Sequence, residues 1–187
     1  MVDGARRLEA ERLFSRAHAI STALSSPPPT DIPPEEWQHR RDRLYETALD
    51  HSTAAEGLVR DPRFTFNRGA LLVQMQRSDE GIAVLIPFVH RHPNHMRALI
   101  NLALALAAKG RGGEAVQAAG RAVEVEPASP RAHNALGFSL LAKGDLPASA
   151  EAFARAATLD PSTPSYPKRE AEVRARLTAT QAKPGRR

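Results

Sequence analysis

The chain contains no cysteine, which excludes disulfides, thiolate metal sites and cysteine nucleophiles together. Aromatic residues make up only 5% of it, too few for the core of a β-sandwich. Lysine is scarce, with 4 residues against 22 arginines. Long hydrophobic runs are also missing. The longest, Ala98 to Ala108, is interrupted by Asn101 and is shorter than the roughly 20 apolar residues that a membrane-spanning helix needs. The first ten residues carry acids and arginines where a signal peptide would carry an apolar core. The expectation is a soluble cytoplasmic protein.

What is abundant is alanine, leucine and arginine. The 187 residues are 42% hydrophobic, a composition that suits stacked helices with small-residue contacts. The net charge of +5 is spread unevenly. Residues 1–61 hold 8 basic and 11 acidic residues, 62–161 hold 11 and 8, and 162–187 hold 7 and 2. The sequence pI of about 10.2 therefore arises mostly from the C-terminal end.

Pro93, Pro127 and Pro161 sit 34 residues apart, and each closes a segment of similar pattern. With the closing proline as position 32, three repeats run over 62–95, 96–129 and 130–163. Position 8 reads Gly69, Ala103 and Gly137. Position 11 reads Leu72, Leu106 and Leu140. Position 20 reads Gly81, Ala115 and Ser149, and position 27 reads Phe88, Ala122 and Ala156. Small residues recur where two helices must approach closely, and leucine recurs where space must be filled. Between them lie turns at Gln76-Arg77-Ser78-Asp79, Gly110-Arg111-Gly112-Gly113 and Gly144-Asp145-Leu146-Pro147. Asp145 suits a helix N-cap and Pro147 a first helical turn. Each repeat thus reads as helix A, turn, helix B and a proline-marked exit.

This pattern resembles the tetratricopeptide repeat (TPR) family. Its best match runs from Ala132 to Pro161, where Leu136-Gly137, Leu140, Gly144-Asp145, Phe153, Ala156 and Leu159-Asp160-Pro161 fall at family positions. The resemblance covers residues 62–163 and implies an all-α TPR-type helical-hairpin solenoid, a general binding scaffold. Four features depart from the family pattern. Position 4, often Trp, holds Thr65, Leu99 and His133. Position 7, usually Leu, is Arg68 in the first repeat. Pro87 falls inside the first helix B, where it should kink the helix. Ala119 stands at position 24, where a large residue is usual.

Residues 1–61 predict a helical pair with a proline-rich connection. Residues 5–25 have an amphipathic face of Leu13, Ala17, Ile20 and Leu24. The run from Ser25 to Pro34 breaks it, and a second helix extends from about Pro34 to Val59. This pair fails the repeat template and reads as an N-terminal cap. Residues 164–187 predict a capping helix over Lys168–Thr180, with Val173 and Leu177 inward, followed by a disordered basic tail.

The resemblance implies that helix A of each repeat lines a concave groove through positions 2, 5, 6, 9, 12 and 13. Position 2 is arginine three times: Arg63, Arg97 and Arg131. Asn67 and Asn101 occupy position 6, and Asn134 stands one place earlier in the third repeat. Phe66, Ile100, Leu104 and Phe138 supply an apolar floor, with Val73 and Leu141 beside them. Asparagine can pair with a peptide backbone through both donor and acceptor. Arginine offers forked donors to carboxylates. The implied function is a non-catalytic adaptor binding an acidic, amphipathic peptide or helix of a protein partner. The alternatives are a structural subunit of a larger assembly, or a nucleic-acid or membrane-surface binder acting through the basic tail. The N-terminal helix is itself a candidate occupant. The family's carboxylate clamp for chaperone tails matches at Asn101 and Arg131 but not at Phe66, Ala70 or Ala135.

His90, His92 and His95 cluster around Pro93, but no Cys or nearby acid completes a ligand set. A polar inter-repeat turn is the simpler reading, and no metal or cofactor is expected. No phosphate loop or nucleophile–base set is present, so no enzyme activity is expected. The tail's Lys168, Arg169, Arg174, Arg176, Lys183, Arg186 and Arg187 lack interleaved aromatics, and Glu170 and Glu172 alternate with them. That favours a solvated cap helix over a nucleic-acid contact.

Overall fold

The computed structural model describes residues 2–24 and 26–181. Among them are nine α-helices and no strand: α1 (Val2–Leu24), α2 (Pro34–Leu58), α3 (Pro62–Gln74), α4 (Ser78–Arg91), α5 (Met96–Ala108), α6 (Gly112–Val125), α7 (Pro130–Lys143), α8 (Leu146–Leu159) and α9 (Ser165–Gln181). The predicted disorder at 183–187, including Lys183, Arg186 and Arg187, lies outside the described residues. The chain divides after Phe88 into two compact units.

In the first unit α1 and α2 have 23 and 25 residues, whereas α3 to α8 have 13 or 14. Their length places the first two outside the repeat pattern. They pack antiparallel. Ala10 shares a buried cluster with Ala55 and Phe64, and Ala17 shares another with Ala48, Leu49, Leu71 and Leu72. Alanines at the crossing points let the backbones approach. Leu13, Phe14 and Ile20 complete the apolar face of α1. That stripe is spent on α2 and α3, so it is not free to fill a groove elsewhere.

Polar contacts fix α3 to its neighbours. The Asn67 amide donates to Ser52 Oγ at 2.8 Å. Glu56 accepts from Arg68 Nε and from Thr65 Oγ1, each at 2.6 Å. The arginine at a position usually held by leucine is therefore a docking residue for α2. Arg63 ties down α1: it bonds Asp61 and Glu11, and its guanidinium lies 5.5 Å from the Phe14 ring and 5.6 Å from the Phe64 ring. Phe64 itself is 1% exposed, a burial worth roughly 2–3 kcal/mol.

Helices α3 and α4 meet at small residues. A Cβ on Gly69 would lie 2.8 Å from Leu85, and one on Gly81 2.8 Å from Val73. The proline at 87 does not end α4, which runs on to Arg91. The carbonyl it deprives of an amide partner belongs to Ala83, an exposed residue, so the lost bond falls where solvent has access.

The second unit holds α5 to α9 in sequential contact. Local devices recur every 34 residues along the repeats. The helix A N-caps are Asp61, His95 and Ser129, each accepting a backbone N–H with its side chain. The left-handed turns after helix A are at Gln76, Gly110 and Gly144, with φ of 60°, 71° and 89°. Position 11 is buried in all three repeats, at Leu72, Leu106 and Leu140. So is position 10, at Leu71, Ala105 and Ser139. One further period falls on Val173 of α9, also buried. The C-terminal helix thus continues the helix A register.

Close approach sets the interfaces here. Ser149 Oγ donates to the Gly137 carbonyl at 2.8 Å, and the Phe153 ring lies 2.7 Å from where a Gly137 Cβ would sit. Gly112 abuts backbone: its Cβ would be 2.5 Å from Lys143 N. The buried residues of α6 are Gly112, Ala115, Ala118, Ala119 and Ala122, none larger than alanine. With α6 pressed this close, Ala119 has no room for the bulkier residue usual at its position.

Candidate partner-binding groove

Helices α5 and α7 lie side by side, with α6 packed against both. On helix A, positions 9, 12 and 13 share one face because residues three and four apart are neighbours. In α5 these are Leu104, Ala107 and Ala108, and in α7 Phe138, Leu141 and Ala142. The six side chains line an open groove of about 360 Å³. Phe138 is held in place by an edge-on contact with Phe153, ring centroids 5.2 Å apart, and Leu141 and Leu146 pack against the same cluster.

The Arg169 side chain of α9 borders this groove. Its guanidinium lies 5.0 Å from the centre of the Phe138 ring. Nη1 donates to Asn134 Oδ1 at 3.1 Å and to Ser165 Oγ at 3.0 Å. Nothing in the repeat count over 62–163 singles out this residue. The available signal was Pro164, which follows Pro130 by 34 residues and places Arg169 at position 6 of one more helix A. Ala108 and Ala142 stand at position 13, on the face the register assigns to the groove, although alanine carries no chemical signature of its own.

The residues expected at the groove divide into two sets. Leu104 and Phe138 line it, and Asn101 stands half-buried one turn before Leu104. Arg97 and Arg131 are exposed at the first turns of α5 and α7. Asn134 is half-buried, with its oxygen accepting from Arg169. Ile100, only 3% exposed, belongs to the core and gives the groove no surface. In the first unit, Asn67 is buried against Ser52 and Phe66 pairs with Phe88 at 6.0 Å. Arg63 is saturated by Asp61 and Glu11. The strong bond to Arg63 holds the Asp61 carboxyl below its ordinary range.

His95 has a local task. Its Nδ1 accepts the Ala98 N–H at 3.1 Å, which requires the neutral ring, and burial lowers its pKa. Among the described residues, no group of three or more His, Cys, Asp or Glu is placed to hold a metal. His133 Nε2 lies 3.0 Å from the Pro127 carbonyl and braces the inter-repeat turn. Of the tail arginines, Arg174 pairs with Glu170 at 2.8 Å. No described helix is long and apolar enough to cross a membrane.

A family model of the tetratricopeptide repeat matches residues 66–124 and 110–164, more than half of the chain. No curated protein matches it in sequence. Among solved structures, MamA from Desulfovibrio magneticus RS-1 is similar, with a TM-score of 0.65 at 19% identity over 89% of this chain and 88% of that one. TTC0263, a thermophilic TPR protein from Thermus thermophilus, gives 0.64 at 18% identity, covering 75% and 78%. YrrB, described as a TPR protein with an unusual peptide-binding site, gives 0.60 at 16% identity, covering 88% and 84%.

Proposed function

Because the chain belongs to the tetratricopeptide repeat family, whose fold serves in general as a non-catalytic protein–protein interaction module, we propose that it is a cytoplasmic adaptor that binds an acidic, amphipathic peptide or helix of a partner protein. The observation that carries this reading is the apolar groove on α5 and α7, open to solvent and lined by Leu104, Phe138 and Leu141. Leaving such a surface wet is unfavourable, and apolar patches of this kind mark contact sites. A leucine-sized side chain seated there would contribute roughly 1.5–3 kcal/mol. Arg97 and Arg131, exposed at the N-terminal ends of the same two helices, add positive charge where the helix dipoles already favour anions. An occupant with apolar groups on one side and acids on the other satisfies both ends. Peptide binding is also ascribed to YrrB, which shares the fold.

The test is a binding measurement on the full-length protein with peptides selected from a random display library. Ala107→Glu places a charge in the groove floor and should abolish binding while leaving the melting temperature unchanged. Replacing Arg97 and Arg131 together by alanine should weaken acidic peptides about tenfold, as loss of charge-assisted bonds does. Selected peptides that bind Ala107→Glu as well as the wild type would refute the reading.

A further inference from the structure

Resting on that reading, we infer that Arg169 selects for a carboxylate in the bound segment, immediately beside the apolar side chain seated against Phe138.

The case starts from how the arginines of this chain are used. Arg63 meets Asp61 and Glu11, Arg68 meets Glu56, Arg77 meets Glu46 and Glu80, Arg111 meets Glu114, and Arg174 meets Glu170. In each pair the charge is answered within the chain. Arg169 is held differently. Its partners are the amide oxygen of Asn134, the hydroxyl of Ser165 and the face of Phe138. All three are neutral, so they orient the guanidinium and leave its charge uncompensated. Glu170, next in sequence, is committed to Arg174. Glu172, one turn further along α9, is exposed and makes no ion pair with Arg169.

Of the three guanidinium nitrogens, only Nη1 is occupied among the described residues. Among the described residues, Nε and Nη2 donate to nothing, and these two N–H groups form the edge of the fork that matches a carboxylate in bidentate fashion. Arg169 is also half-buried and has already lost rotamer freedom to its three contacts. A ligand carboxylate would therefore meet a donor pair fixed in advance, which lowers the ordering cost of binding. The neighbouring groove is purely apolar, so charge complementarity at its border falls to this residue and to the exposed Lys168 and Arg131. The occupant is a partner segment bearing Asp or Glu next to a bulky apolar residue.

The experiment uses the full chain and peptides selected on it from a random display library, synthesised in acid form and in amide form (Glu→Gln, Asp→Asn). Each form is titrated against the wild type, Arg169→Met, Arg169→Lys and Ala107→Glu, with melting temperatures as a check on folding. Arg169→Met keeps an apolar stem on Phe138, and Arg169→Lys keeps the charge but loses the fork. In the wild type the acid-to-amide change should weaken binding about tenfold or more, the worth of a charge-assisted bidentate contact. That ratio should fall to near one in Arg169→Met and to an intermediate value in Arg169→Lys. A merely structural role for Arg169 would weaken both forms equally and leave the ratio unchanged, which overturns the inference while the groove stands. If Ala107→Glu leaves binding intact, or the library yields no peptide that Ala107→Glu releases, the groove reading falls and the role of Arg169 with it.

Discussion

Gly112 and Gly113 are adjacent, chemically identical and both in the first turn of α6, yet replacing each by alanine should move stability in opposite directions. A Cβ on Gly112 would sit 2.5 Å from Lys143 N, 2.6 Å from Lys143 Cα and 2.7 Å from the Ala142 carbonyl carbon. All three are backbone atoms of α7, so no side chain can swing away. To reach ordinary contact α6 must retreat by about an ångström, which forfeits a quarter to a half of the dispersion energy along that part of the interface. Overpacking costs roughly 1–3 kcal/mol, and the lack of a yielding neighbour puts Gly112→Ala near the upper end. At Gly113 nothing lies within 4 Å. Alanine there gains helix propensity, about 0.5 kcal/mol in a first turn against up to ~1 in a helix interior. The pair should thus differ by roughly 3 kcal/mol, summed from these two effects. Urea unfolding followed by far-UV circular dichroism measures the difference, and amide exchange in α6 localises it. A Gly112→Ala variant within ~0.5 kcal/mol of the wild type, the range of an ordinary surface substitution, would show that the close approach of α6 to α7 is misread.

Three further outcomes are expected. Gln76 adopts φ of 60° where its repeat equivalents are Gly110 and Gly144, so Gln76→Gly should relieve left-handed strain and stabilise by about 0.5–1 kcal/mol net of unfolded-state entropy; denaturant midpoints check this, and a lower midpoint would contradict it. His95 caps α5 as the neutral ring, and burial lowers its pKa from the ordinary 6.5; the folded state therefore binds the proton less well than the unfolded one, and stability is retained above pH 6.5 and lost as pH falls below it. His95→Ser, which copies the Ser129 cap, should remove that part of the pH dependence, whereas parallel stability curves for the two proteins would rule it out. Arg68→Leu restores the residue usual in the family but strips Glu56 of its charged partner, leaving it the Thr65 hydroxyl; with both side chains about a quarter exposed, the loss should be about 1 kcal/mol after solvent screening, and a more stable variant in thermal unfolding would refute the docking role.

The repeats were legible because their signals are steric and periodic. Leu72, Leu106 and Leu140 fill, Gly69 and Gly137 yield, and the prolines fix the count. The paired helices at 2–58 were legible as helices from their apolar spacing. The use of each groove residue was less so, because register states which face a residue occupies and not what else reaches that face. Asn67 and Asn101 share a position, yet Ser52 on α2 captures the first. Arg63 and Arg131 share another, and only Arg63 is met by Glu11 from α1. The polar residues of the N-terminal pair, which follows no repeat, supply these differences. Arg169 is legible in the sequence only as one base of the tail, because it sits in a stretch whose composition suggests a charged cap.

The buried side of α6 has a thermodynamic consequence. Alanine and glycine surrender no side-chain rotamers on folding, so Ala115, Ala118, Ala119 and Ala122 join their neighbours free of that cost. They also remove little apolar area from water, and the heat-capacity change of unfolding scales with that area. The contribution of α6 to the repeat over 96–129 is therefore a rigid fit of backbones with little heat-capacity change, and the temperature dependence of that repeat falls to Leu99, Ile100, Leu102 and Leu106 of α5, which carry its apolar burial.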